Sequence, residues 1–106
     1  FQKHRGQVCG GVELVVTDPD ALPSYRVGIE LLDAIHRSSP EDFRWREAPY
    51  EFEIDRPAID LLTGGPACRE AIESGEGLED WMATWAADEG EFRRERDEIL
   101  LYREDA

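Results

Sequence analysis

The chain has 106 residues, of which 25 are Asp or Glu and 12 are Lys or Arg, so its formal net charge at pH 7 is −13. This length fits one domain with a core of its own and excludes two domains with a cleft between them. The acidic balance repels nucleic-acid phosphates and anionic membrane surfaces, so neither is expected as a partner.

After a polar lead-in at residues 1–7, the first predicted element is a strand, Val12–Thr17, whose residues are nearly continuously apolar. A run of this kind is typical of a strand that is covered on both faces. Gly10 and Gly11 directly precede it. They lack the further glycine and the helix start of a dinucleotide- or phosphate-binding loop. A close backbone approach or a bulge at the start of the strand is therefore the favoured interpretation.

A helix is predicted next, opening at Pro23 and Ser24 and ending near Ser38, ahead of Pro40. Its apolar residues recur on one face, as expected for a helix that packs on a core. These residues are Ile29, Leu32, Ile35 and His36, broadened by Val27, Leu31 and Ala34.

Between Phe43 and Ile54, aromatic and aliphatic residues alternate with charged or polar ones. This alternation favours one or two short strands, interrupted at Pro49. Trp45 lies between two arginines in this segment. It could pack on the core or offer its ring to a sugar, and the sequence leaves both open.

Two short helices are expected to follow. Asp55 is placed to cap the first, which runs to Leu62 and stops at Gly64 or Gly65. Pro66 opens the second, which runs through Ser74.

The last element is a long helix, from Leu78 to Tyr102, with an apolar spine at sevenfold spacing. Trp81 and Trp85 lie one turn apart on it and are interpreted as core residues. Because Glu89 and Arg96 interrupt the spine, a packed terminal helix is favoured over a coiled coil. The predicted fold class is α+β, with a small sheet packed against several helices including this one.

The two cysteines, Cys9 and Cys68, stand far apart, and no histidine lies at metal-ligand spacing from them. A metal site is therefore not expected. One disulfide and two buried free thiols both stay open.

No residue is nominated as catalytic, and no cofactor is expected. With 25 carboxylates, any pair of acids carries little information. No Ser, Cys or Thr lies in a nucleophile motif such as GxSxG. His4 falls in the polar lead-in, and His36 near a helix end is interpreted as a capping or surface residue.

Thr17, Asp18 and Arg26 form a different kind of cluster. They lie where a strand ends and a helix begins, a place where polar side chains and free amides often face a ligand. Structural capping of the helix is the competing interpretation.

Four stretches, in this order, carry a resemblance to a known family: CGGVELVVTD, YRVGIELLDAIHRSSPEDFRW, DRPAIDLLTGG and REAIESGEGLEDWMATWAADEGEFRRERDEILLY. From about Gly6 to Tyr102 the chain resembles the C-terminal domain of the bacterial exo-β-N-acetylmuramidases, a family of glycoside hydrolases. These enzymes release N-acetylmuramic acid from the non-reducing end of peptidoglycan fragments.

The resemblance implies that residues 1–106 are a single C-terminal accessory domain of a larger two-domain protein, as the start at Phe1 rather than Met also suggests. The catalytic carboxylate would then lie in a Rossmann-like N-terminal domain outside this chain, and the fragment alone would be inactive. The implied partners are that N-terminal domain and a peptidoglycan-derived sugar. Relatives look exported, so the periplasm or cell envelope is the expected location.

Family members commonly read Gly-Gly-Val-Gln-(Ile/Leu)-His-Val-Thr-Asp-Arg where this chain has Glu13, Val15 and Pro19 at the Gln, His and Arg positions. Any substrate contact made by that histidine or arginine is missing here. The matching positions carried over as substrate-binding are Gly10, Gly11, Thr17, Asp18 and Arg26.

Arg26 attracts most interest among these positions, because a guanidinium can grip the lactyl carboxylate of muramic acid with two hydrogen bonds. Two other hypotheses stay open. One is a structural module that touches no sugar, which an exposed apolar patch on one side, with Arg26 buried in a salt bridge, would favour. The other is an independent acidic protein that binds a protein partner through its long terminal helix.

Overall fold

The computed structural model describes residues 3–47 and 49–102, so Phe1 lies outside the described residues. Within them, regular secondary structure consists of helices. These are α1 (Ser24–Ser38), α2 (Ala58–Leu62), α3 (Ala67–Ser74) and α4 (Leu78–Ile99).

Helix α1 has the predicted bounds, because residues next to each end determine where it starts and stops. Pro23 directly precedes its first residue, and its fixed φ suits the entry to a helix. At the other end the N–H of Ser39 donates to the carbonyls of Ile35 and His36. His36 and Arg37 occupy the last turn, where basic side chains interact favourably with the helix dipole.

Helices α2 and α3 match the two predicted short helices, except for the cap at Asp55. Helix α2 begins only at Ala58, directly after Pro57, and has no side-chain cap. Asp55 lies too far ahead of the first turn to reach its free amides, so the predicted cap is wrong. Helix α3 follows Pro66, as predicted.

Glycines in the left-handed region separate α3 from α4. Gly75 ends α3 with a φ of +74°, and its N–H donates to the carbonyls of Ala71 and Ile72. Gly77, with a φ of +78°, directly precedes α4. L residues with a Cβ rarely adopt such φ values, so these two positions favour glycine.

Helix α3 lies at the centre of the molecule and contacts the other three helices. Its Cys68 and Ile72 are fully buried, between Ile29 of α1 and Leu78 and Met82 of α4. We call these five residues the helical core. Trp81 and Trp85 pack against it half-buried, with ring centroids 5.0 Å apart, so the prediction that they are core residues is confirmed.

A buried ion pair joins α2 to α3. Asp60 is buried, and both its carboxylate oxygens accept from Arg69, at 2.8 Å from Nε and 3.0 Å from Nη2. Hydrogen bonding to Asp60 raises the pKa of Arg69 above its usual range. This fork geometry satisfies a carboxylate that would otherwise be costly to bury.

The predicted α+β class with a small sheet is wrong for the described residues, which contain no sheet. Val12–Thr17, predicted to be a strand, has no regular secondary structure, bends at Thr17 and pairs with no other described segment, so the predicted strand is wrong. In the described part of the range from Phe43 to Ile54, the backbone forms an isolated antiparallel bridge between Tyr50 and Glu53, which closes a tight turn, and no strand. A strand needs a partner, and no described segment supplies one.

The long helix also ends earlier than predicted, at Ile99, with Leu100 in an extended conformation. Its 22 residues span about 33 Å, whereas the eight residues of α3 span about 12 Å. The second half of α4 therefore projects past the helical core, and Phe92 and Ile99 of its apolar spine are exposed. The Cα radius of gyration is 17.6 Å, against about 13 Å for a compact domain of this size.

Candidate functional site

The segment before α1 and the first half of that helix line an open cavity of about 390 Å³, which we call the α1 groove. Its walls are mostly apolar. The lining residues are Leu14, Val15, Val16, Thr17 and Asp18 from the segment, Ala21 and Leu22 from the turn, and Ser24, Val27 and Gly28 from α1.

Thr17 and Asp18 both line the α1 groove, so the structure brings together two of the predicted site residues. The carboxylate Oδ1 of Asp18 accepts from the N–H groups of Asp20 and Ala21, at 3.1 and 3.3 Å. This arrangement fixes the turn that leads into α1. Asp18 thus caps the turn at Asp20 and Ala21, whereas α1 itself has no side-chain cap.

Arg26 lies on a different side of α1 and is not among the residues that line the groove. Its Nε donates to Glu30 at 2.7 Å, and its Nη2 donates to both carboxylate oxygens of Glu79, at 3.1 and 3.0 Å. Hydrogen bonds to Glu30 and then to Glu79 raise the pKa of Arg26 above its usual value. The guanidinium therefore ties α1 to the start of α4, and any carboxylate ligand would have to displace one of these partners.

Gly10 and Gly11 are exposed and lie ahead of the groove. An added Cβ at either position would meet no atom within 4 Å, and neither residue has a left-handed φ. The predicted close backbone approach thus has no partner among the described residues.

Trp45 is half-buried and packs against the helical core, with its ring edge-on to Phe43 at a centroid distance of 4.7 Å. Its indole Nε1 is buried without a hydrogen-bond partner in the described structure. It also lines a second cavity, of about 300 Å³. The other lining residues are Arg44, Arg46, Glu47, Pro57, Arg69 and Glu73.

Arg69 is a residue of this second cavity that the sequence does not single out. Its partner Asp60 lies on another helix, so the spacing of the two residues in the sequence does not predict the pair. The only local signal is the i, i+4 relation to Glu73, whose carboxylate is 3.2 Å from Nη1.

The two cysteines occupy opposite environments. Cys9 is exposed and Cys68 is fully buried, and both are free thiols. Burial, and then the charge of Asp60, raise the pKa of the Cys68 thiol. Since the thiolate is the nucleophile, Cys68 is unsuited to nucleophilic catalysis. In the described part of the chain, no three His, Cys, Asp or Glu side chains are grouped to hold a metal ion.

The family model described as "Exo-beta-N-acetylmuramidase NamZ, C-terminal" matches residues 1–102. The chain belongs to this family. The predicted resemblance is thereby confirmed. Because the match spans both the α1 groove and the helical core, both are parts of a NamZ C-terminal domain.

A curated relative supports the assignment to the NamZ family. The chain is 30% identical over 102 residues to the peptidoglycan beta-N-acetylmuramidase NamZ of Bacillus subtilis (strain 168). The aligned region covers 96% of this chain but 23% of that protein. No solved structure matches the chain. In the described residues, no helix is both long enough and apolar enough to cross a membrane.

Proposed function

We propose that this NamZ C-terminal domain is the accessory domain of an exo-β-N-acetylmuramidase, a glycoside hydrolase that releases N-acetylmuramic acid from the non-reducing end of peptidoglycan fragments. Family membership and the peptidoglycan-acting relative support this proposal. The catalytic carboxylate then belongs to an N-terminal domain of the same polypeptide, and the 106-residue chain alone has no activity. A location in the periplasm or cell envelope follows from the substrate.

The α1 groove is the observation that carries a substrate-contacting, cleft-closing role. Its volume of about 390 Å³ lies within the range of small-ligand pockets, about 300–1,000 Å³. Apolar walls suit the face of a sugar ring that carries its C–H groups, and the Thr17 hydroxyl offers a hydrogen bond at one end. Gly10 and Gly11 precede the same segment and leave space for a ligand or a second domain.

Arg26 is proposed to bind the lactyl carboxylate of muramic acid by exchanging one anionic partner for another. Its side chain is 42% exposed, and the carboxylate of Glu79 is 75% exposed. An exposed ion pair of this kind contributes little to stability. A substrate carboxylate could therefore take the place of Glu79 and keep the same two hydrogen bonds.

A second candidate function is a structural module without sugar contact. Two observations favour it: Arg26 is already engaged by two carboxylates, and the segment before α1 exposes apolar side chains. In this alternative, the domain stabilises the N-terminal domain, and Arg26 only joins α1 to α4.

The deciding experiment measures kcat/KM of the full-length protein for the N-acetylmuramyl-N-acetylglucosamine disaccharide. Arg26→Ala should lower it roughly ten- to a hundredfold, the range for a hydrogen bond to a charged group. The control is Arg37→Ala, which breaks another ion pair on α1, with Asp33. It should leave kcat/KM unchanged.

A substrate that lacks the lactyl carboxylate separates binding from structure. If Arg26 binds that carboxylate, Arg26→Ala has little effect on such a substrate, and Glu79→Gln leaves activity intact. An equal loss on both substrates, reproduced by Glu79→Gln, would establish the structural alternative instead.

A further inference from the structure

The segment Val12–Thr17 exposes more apolar surface than a self-contained domain requires. Val12, Leu14, Val15 and Val16 are 72, 61, 75 and 51% exposed. Isolated exposed apolar residues are ordinary, but four within five positions concentrate exposed apolar surface in one short segment, and such concentrations mark interaction sites.

The backbone of this segment is also unpaired. Among the described residues, positions 8–17 make no backbone–backbone hydrogen bond and belong to no helix or strand. An extended chain with free N–H and C=O groups along both edges is a template for pairing with a strand. Helical packing cannot satisfy these groups, whereas a neighbouring strand can.

The side chains indicate which kind of sheet this strand fits. Once paired as a strand, Val12, Leu14 and Val16 would lie on one face of the sheet and Val15 on the other. Apolar residues on both faces are typical of a strand buried on both sides, inside a sheet covered by helices. The charge of Glu13 is the exception, at the start of the segment.

Gly10 and Gly11 fit the same arrangement. In this domain an added Cβ at either position meets nothing, and neither φ requires glycine. Their missing side chains are explained if a second backbone passes close to them, which the described residues do not provide.

The occupant follows from the size of the family's proteins. The chain covers 23% of the B. subtilis relative, and its family is defined as the C-terminal part of NamZ. More than three quarters of such a protein therefore lies outside this domain and is tethered to it. A tethered partner binds at high effective concentration, which favours it over a second copy of the chain.

We propose that Val12–Thr17 is a strand of a β-sheet whose other strands are supplied by the N-terminal part of the full-length protein. The domain thus docks by adding a strand, and the α1 groove lies on the flank of that junction. This inference rests on the proposed function only in its assumption that an N-terminal domain is present in the same polypeptide.

Hydrogen exchange in the full-length protein tests the pairing directly. The amides of residues 12–17 should exchange at least about a hundredfold more slowly than unprotected amides, because paired amides exchange only when the sheet opens. Exchange at unprotected rates would overturn the proposal. Protection that appears only at high protein concentration would also overturn it, in favour of pairing between two copies.

A matched pair of variants at Val15 separates strand pairing from simple apolar contact. Val15→Pro removes the amide and should abolish the protection of residues 12–17, whereas Val15→Thr keeps the amide and the branched side chain and should retain it. Equal protection in both variants would contradict pairing. Release of muramic acid is assayed in parallel: a protected segment without release overturns only the proposed function, and release with fast exchange overturns only this inference.

Discussion

The helical core and the segment Val12–Thr17 are both apolar, but they differ in what completes them. The core residues of α1, α3 and α4 bury one another within the domain. The segment before α1 finds no such cover, and its side chains and backbone groups stay open. The comparison shows that a helical core can be complete while an apolar segment directly before it in the chain stays uncovered.

The comparison first predicts that a truncation in the core is costly while the same truncation in the segment is not. Ile72 is fully buried, so Ile72→Ala should destabilise the 106-residue chain by about 3 kcal/mol, within the usual range for such cavities. Val12→Ala should change the free energy of unfolding by less than about 0.5 kcal/mol. Urea unfolding monitored by circular dichroism measures both. Equal costs would mean that the segment packs on the domain after all.

The second prediction concerns the Asp60–Arg69 ion pair, which joins α2 to α3. Arg69→Met leaves a buried carboxylate without its two hydrogen bonds and should cost about 2 kcal/mol. The control is Arg37→Met, because the Arg37–Asp33 pair lies on the surface of α1 and contributes at most about 1 kcal/mol. A loss no greater than that of Arg37→Met would show that Asp60 is solvated in solution.

How far the sequence predicts this structure depends on how local each signal is. The bounds of α1 follow from Pro23, the apolar periodicity and Pro40, all within or beside the helix. A sheet is not local, since the pattern of Val12–Thr17 describes a strand but cannot say whether the chain contains its partner. The pattern therefore predicts a strand of a small sheet, whereas the described residues contain no partner strand.

The same distinction applies to the candidate site. Thr17 and Asp18 could be placed near α1 because they immediately precede it. The engagement of Arg26 by Glu79 could not be predicted, since the two residues are 53 positions apart and meet only when α4 packs on α1. The alternation of apolar and polar residues after Phe43 predicts short strands, and this prediction is wrong. The rings of Phe43 and Trp45 pack on each other and on helices rather than within a sheet.

The buried thiol of Cys68 makes the stability of the helical core depend on pH. Burial raises the pKa of Cys68, so the unfolded chain ionises this thiol at a lower pH than the folded chain does. The stability that Cys68 contributes is fully present below its unfolded pKa of about 8.5 and is lost as pH rises toward the folded value. The free energy of unfolding should therefore fall as the pH rises above about 8.5. This fall should be smaller in Cys68→Ala, which lacks the thiol.

A matched measurement on Cys9 completes that prediction. Cys9 is exposed, so its alkylation by iodoacetamide should be fast in the folded 106-residue chain, while that of Cys68 should require unfolding. Fast alkylation of both thiols under native conditions would mean that the helical core is open in solution.

The smallest expected changes in stability are those of two glycine substitutions, one at the end of α3 and one directly before the segment Val12–Thr17. Gly75→Ala should cost about 1 kcal/mol, because the φ of +74° at the end of α3 is unfavourable for any residue with a Cβ. Gly11→Ala should be neutral or slightly stabilising in the 106-residue chain, since its φ is ordinary, its Cβ meets nothing, and alanine restricts the unfolded chain. If a strand of the N-terminal part passes close to Gly11, the sign of this change should reverse in the full-length protein, because an added Cβ would meet that backbone. Differential scanning calorimetry of both proteins measures the two signs, and a neutral Gly11→Ala in the full-length protein would show that nothing packs against this end of the segment.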